Sequence, residues 1–299
     1  MKQLGYSFDF VQQIFTNVTK LTIRFSTRIM THTTYKPTFM QTLLGRNYKW
    51  WYIIIYNFKT AVNDRAGLIF SVVRFLLPVL VSILIYSTFD TSRNLTGELA
   101  LGNFFFQITA MAFGISWDLR TNIIKGGLTK LLLVPTNYMA IQFFVALGFN
   151  FFALLIRFLI YLPLLVLFGS KFLITPNLFF ALGLMLISFV SYFFAEIILG
   201  ASAFWFQVAS NRILEVYYDL IQVLSGAIII LNLNPITQKF AYLPFSLAVY
   251  HPMQIYLGKY TPLETFYVFL GGITWCVALY FLATWVFKAG LKKNEAVGL

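Results

Sequence analysis

The chain has 299 residues, of which 59% are hydrophobic and 11% charged, and its mean hydropathy is +0.77. A soluble domain carries about 25% charged residues, so the composition excludes a chain whose whole surface meets water. The formal net charge of +12 does not mark a nucleic-acid partner, because the basic residues collect before and between apolar runs in the positive-inside manner.

Residues 1–47 carry Lys2, Lys20, Arg24, Arg28, Lys36 and Arg46 against Asp9 alone. This basic segment is expected to stay in the cytoplasm. It holds no compact apolar core of the signal-peptide kind, so insertion is expected to begin with the first span. Residues 48–65 read as an interfacial helix on the inner leaflet, with Trp50 and Trp51 at headgroup depth; a soluble amphipathic helix is the alternative.

From 66 to 288 the sequence shows about six apolar runs, 66–89, 99–117, 139–168, 177–206, 213–234 and 263–287. They approach or exceed the roughly 20 residues a helix needs to cross a bilayer. The link after the first run is short and nearly neutral, whereas 118–138 carries Arg120, Lys125 and Lys130. Between the fifth and sixth runs, Pro235, Pro244, Pro252, Gly258 and Pro262 interrupt an apolar stretch. A straight helix cannot hold so many prolines, and irregular backbone at membrane depth is buried in protein or lines a wet cavity. The expected form is one or two short helices dipping in from the outer side. Sixteen Lys and Arg fall in the segments read as inner and four in those read as outer. Both termini, including the tail 289–299, are therefore expected to be cytoplasmic. The fold class expected is all-α: a polytopic membrane protein with about six transmembrane helices, an N-terminal interfacial helix and a broken re-entrant segment before the last span.

Material for catalysis is scarce. His32 and His251 fall on opposite sides of the expected membrane, and the ten acidic residues form no H-E-x-x-H pair or tight Asp cluster. Cys276 is the only cysteine, which leaves no disulfide framework or Cys-rich metal site in one chain. There is no G-x-S-x-G elbow and no phosphate loop, so the chain is not expected to be an enzyme, or an ATPase, by itself. The charges read as intramembrane are Arg74, Arg157, Glu196 and Asp219. Such charges are paired or face a cavity, and two readings stand: structural pairing among Arg74, Asp219 and Glu196, or contact with a substrate. In 118–138, Asp118 reads as an N-cap, Leu119 to Lys125 as a short amphipathic helix, and Gly126-Gly127 as a turn. That helix suits either a partner's groove or a plain interfacial connector.

Three stretches carry a resemblance: IIKGGLTKLLLVPTNY at 123–138, LSGAIIILNLNPITQKFAYLPFSLAVYHPMQIYLGK at 224–259, and FKAGLKKNEAVG at 287–298. Together, over about 47–299, the chain resembles the permease subunits of bacterial ATP-binding-cassette exporters of the ABC type 2 class, the six-span branch without a fused ATPase. The resemblance implies a membrane dimer, of this chain with itself or with a related permease, on two ATPase subunits that hold ATP and Mg. It implies a bacterial plasma (inner) membrane location, surrounding lipid and no cofactor in this chain. Arg120, Ile123, Ile124, Lys125, Gly126, Gly127 and Leu128 would form the ATPase-coupling loop, and Pro235, Pro244, Phe245, Pro252 and Gly258 the outer gate. The implied function is alternating-access export of an amphipathic or lipid-like cargo. An autonomous membrane enzyme of lipid metabolism and a secondary transporter are the competing readings.

Overall fold

The computed structural model describes residues 48–63, 101–106, 114–132, 137–167, 176–227 and 235–296, with single positions 73, 77, 80, 81, 84, 88, 109, 112 and 231. The readings of 1–47 and of Arg74 lie outside the described residues. The described chain is helix and turn, with no strand among the described residues. Almost all of it belongs to one compact unit, Trp50–Leu132 with Thr136–Leu299.

Helix α1 spans Tyr48–Asn63. Two short helices, α2 at Ile115–Ile124 and α3 at Leu128–Leu132, precede the 30-residue α4 at Tyr138–Leu167. Helix α5, Pro176–Ala201, runs through a single turn residue into α6, Ala203–Phe206. Helix α7 is Ser210–Leu224, α8 is Pro235–Gln238, α9 is Tyr250–Tyr256 and α10 is Pro262–Ala296. Two 3-10 helices, Lys239–Tyr242 and Pro244–Ala248, separate α8 from α9.

Helix α5 is the centre, with α2, α9, α10 and the 244–248 turn packed on it. It buries Leu178, Ala181, Leu184, Met185, Ser188, Phe189, Tyr192, Phe193, Glu196, Ile197 and Gly200, a three-and-four spacing that makes one broad helical face. Against it α10 buries Gly272, Ala283, Phe287 and Gly290, with Cys276 half-buried between them. A Cβ on Gly272 would lie 3.3 Å from Ile187 and 3.4 Å from Leu184, and one on Gly290 would enter the Phe204 ring. Small residues at such contacts are how helices approach in a membrane, where burial against lipid offers no driving force. The opposite side of α10 exposes Phe266, Leu270, Trp275, Phe281 and Trp285. Pro176–Phe206 and Pro262–Lys293 are each long and apolar enough to cross a bilayer.

The start of α10 has its own chemical signal. Thr261 accepts from the Glu264 N–H (3.3 Å) while Glu264 accepts from the Thr261 N–H (2.7 Å). This is a capping box with proline at the first helical position, where the missing N–H costs nothing.

Two elements differ from the sequence reading. The run read as a span over 213–234 holds a helix that stops at Leu224, followed by a turn at Ser225 and Gly226, whose φ is +89°. Glycine adopts that left-handed conformation without the steric cost a side chain would bring; hydropathy is blind to it because apolar residues continue on both sides. The run read as continuous to 117 breaks at Gly114, φ +100°, which is the N-cap of α2. Asp118, read as the cap, lies inside the first turn.

Candidate functional site

Two places where the chain leaves long helix hold the polar chemistry: the loop 114–132 and the segment 235–258. At the loop, α2 begins with backbone N–H groups that have no partner within the helix. The Ser116 N–H donates to Glu196 Oε2 at 3.1 Å. The same oxygen accepts from the Ser116 hydroxyl at 2.7 Å and from the Tyr218 hydroxyl at 2.8 Å. Tyr218 in turn accepts from the Gly114 N–H at 3.2 Å. A carboxylate beside a helix N-terminus also opposes the positive end of the helix dipole. Glu196 and Ser116 are fully buried, and the group is a polar knot linking α2, α5 and α7 in which Oε2 carries all three hydrogen bonds while Oε1 is buried without a hydrogen-bond partner.

The contact is close because Gly200 lies one turn beyond Glu196 on the same face of α5. A Cβ there would sit 2.9 Å from both the Ser116 carbonyl oxygen and Leu119 Cβ, and 3.0 Å from Ser116 Cα. A second link joins α2 to α7: Arg120 Nε donates to Ser210 Oγ at 2.8 Å, and the Ser210 hydroxyl donates to the Gln207 carbonyl. On the other side of α2, Gln142 of α4 donates to Asp118 at 3.2 Å. Asp118 keeps an exposed edge, yet desolvation pushes its carboxyl above the ordinary carboxylate value, opposed by the Gln142 hydrogen bond.

The residues expected to form a coupling loop therefore divide. Ile123 and Leu128 are buried within the chain, and Arg120 is committed to Ser210. Ile124, Lys125 and Gly126 are exposed at the tip, where Gly126 turns the chain at φ +70°. Helix α1 lies along α4: Trp50 stacks on Phe144 at 4.7 Å, and Gly148 receives the backbone of Ile54. Its other side exposes Trp51, Ile55 and Lys59, a spacing of one helical turn.

In the segment 235–258 the solution is local. Ser246 Oγ lies 2.7 Å from the carbonyls of both Ala241 and Leu243. His251 Nε2 meets the Ala241 carbonyl at 2.8 Å, which assigns it the proton, and Nδ1 then accepts from Tyr260 at 2.9 Å. Pro244 opens the second 3-10 helix, Pro252 sits in the first turn of α9, and Gly258 ends the segment at φ +69°. Residues 246–250 and 252–256 are buried, whereas Pro235 and Tyr242 are exposed. Two hydrogen bonds tie the segment to α5 and α7: Tyr192 donates to the Phe245 carbonyl at 3.0 Å, and the Tyr250 N–H to the Ser225 carbonyl at 3.1 Å. The stretch 101–106 closes over this segment, with Phe105 edge-on to Tyr256 at 5.6 Å.

Of the four charges read as intramembrane, Glu196 is at the knot. Its partners are hydroxyls and a backbone N–H, not Asp219, which points to the exposed side of α7. Arg157 falls in α4, its side chain outside the description. No group of three His, Cys, Asp or Glu able to hold a metal occurs among the described residues. Sequence reasoning missed Ser116, Tyr218 and Gly200; only Gly114, a glycine ahead of a charged helical stretch, was a readable hint.

No curated protein matches the chain. Residues 72–298, well over half of it, match the family described as ABC-2 family transporter protein. The all-helical unit, the long apolar helices and that match agree, and the chain belongs to the ABC-2 transporter family as a membrane permease.

Proposed function

We propose that this permease forms, with a second permease of the same or a related kind, the membrane pathway of an ATP-driven exporter in the bacterial inner membrane. The chain crosses about six times with both termini in the cytoplasm. The tip of the 114–132 loop docks in a groove of a separate ATPase subunit, two of which bind ATP and Mg. Residues 235–258 close the pathway on the outer side, and the cargo is amphipathic or lipid-like.

The observation that carries this reading is the division of the 114–132 loop. Leu119, Ile123 and Leu128 are sealed inside the chain while Ile124, Lys125 and Gly126 project. A short helix whose base is fixed and whose tip offers an apolar side chain beside a cation suits a partner's groove; a passive connector needs no such bracing. The cargo class rests on a chain rich in Phe, Tyr and Leu with few charges.

The test is to purify the permease with the phosphate-loop ATPase encoded beside it and to reconstitute the pair in liposomes with a fluorescent short-chain phospholipid as probe. Co-purification and movement of the probe that requires ATP are expected. Lys125→Glu and Gly127→Pro are expected to lower movement per ATP by about 10-fold, within the range of ordinary coupling energies. Equal movement without ATP would contradict the proposal.

A further inference from the structure

The carboxylate of Glu196 accepts three hydrogen bonds on one oxygen, and all three come from groups that set the direction of α2 or its link to α7. Helix α2 is joined to the rest of the chain through Gly114 at one end and Gly126 at the other, both at positive φ. Its direction is therefore fixed by lateral contacts and not by continuity with a longer helix. Those contacts are of two kinds. Glu196 and the bare Cβ position of Gly200 make a notch on α5 into which Ser116 and Leu119 fit without remaining exposure. Tyr218 and Ser210 hold α2 to α7 at two points, through Gly114 and Ser116 and through Arg120.

We infer that Glu196 is the positioning residue that makes α2, α5 and α7 move as one body, so that displacement of the α2 tip reaches the segment 235–258. The path is continuous: Tyr192, one turn before Glu196 on α5, donates to the Phe245 carbonyl, and Ser225, at the end of α7, accepts from the Tyr250 N–H. Helix α5, which carries Glu196, and α7, which it grips, thus both reach the segment, one through a side chain and one through backbone. This inference rests on the reading of the α2 tip as the ATPase contact. Without Glu196 the Ser116 and Tyr218 hydroxyls, already 2.9 Å apart, satisfy one another. The Ser116 N–H then has no acceptor and α2 is free to tilt against α5.

The test uses the complete complex with its ATPase, in a Cys276→Ser background, with a fluorophore on Tyr242→Cys and a water-soluble quencher. In the otherwise unaltered complex, Mg-ATP changes quenching at position 242. Glu196→Ala keeps ATPase binding and ATP hydrolysis but reduces this response about 10-fold, in line with the coupling carried by one two-state contact. Glu196→Gln keeps an acceptor oxygen and restores at least about half of the response. Tyr218→Phe, which removes one donor and leaves the carboxylate, lowers it about threefold and serves if Glu196→Ala fails to fold. An unchanged response in Glu196→Ala or Tyr218→Phe overturns the inference, as does failure of Glu196→Gln to exceed Glu196→Ala. If the reading of the α2 tip itself is wrong, the unaltered complex either fails to bind the ATPase or shows no response to Mg-ATP, which separates the two failures.

Discussion

The loop 114–132 and the segment 235–258 both leave long helix, and both must satisfy backbone groups released by that break. They do so in opposite ways. At the loop the partners are distant in sequence: Glu196 lies 80 residues from Ser116, and Tyr218 lies 102 from it. At the segment most are near: Ser246 bonds carbonyls five and three residues back and His251 a carbonyl ten residues back, while the Phe245 carbonyl and the Tyr250 N–H find distant partners in Tyr192 and Ser225. A break satisfied from afar is tied to the helices that satisfy it. One satisfied from within keeps its internal bonds wherever it goes, which suits a part that opens and closes. The contrast gives a physical reason to place transmission at the first and gating at the second.

The contrast is broken most strongly at Gly200. Gly200→Val places methyl groups where even a Cβ meets the Ser116 backbone at 2.9 Å; an expected loss of about 3 kcal/mol is checked by denaturant unfolding in detergent. Because α2 is displaced, the loss should come with faster proteolysis at the loop and none at 235–258. Glu196→Ala follows at about 2 kcal/mol, from the unpartnered Ser116 N–H and the vacated side-chain volume. The hydroxyl pair that survives keeps this figure below that for a broken ion pair.

His251→Phe attacks the other region. It removes two hydrogen bonds that hold Ala241 and Tyr260 together, for an expected cost of about 1–2 kcal/mol. Hydrogen exchange should quicken within 239–261 and stay unchanged in α2; a change spread evenly over both would erase the distinction drawn above. The smallest effect is expected at Tyr242, which is 84% exposed. Tyr242→Ala should leave stability within about 0.5 kcal/mol, which makes the position a suitable label site.

The sequence declared the long helices and hid their breaks. Apolar length alone placed α5 and α10; the Thr261–Glu264 capping box that starts α10 was not used in the sequence reading, which began that span at 263. The end of α7 was hidden because Ser225 and Gly226 sit inside a run in which apolar residues continue on both sides. Prolines marked the 235–258 break because each removes a backbone donor; at 114 and 226 a glycine does the work and leaves no trace in hydropathy. Glu196 was visible as a charge in an apolar run. Its partners were not, since Ser116 and Tyr218 look like ordinary helix residues and only the packing of α2 on α5 brings them together. The pairing expected among Arg74, Asp219 and Glu196 depended on the cation Arg74, which lies outside the described residues. The two acidic side chains differ: Glu196 faces the interior and Asp219 the exposed side of α7.

The most direct measurement compares two spin-label distances in the complex with its ATPase, again with Cys276 replaced. One pair joins Lys125→Cys at the tip of the loop to Arg212→Cys near the start of α7, both exposed positions. The other joins Lys125→Cys to Tyr242→Cys. With loop, α5 and α7 acting as one body and the 235–258 segment moving against them, the first distance stays the same with and without Mg-ATP and the second changes. A first distance that shifts as much as the second would contradict the account.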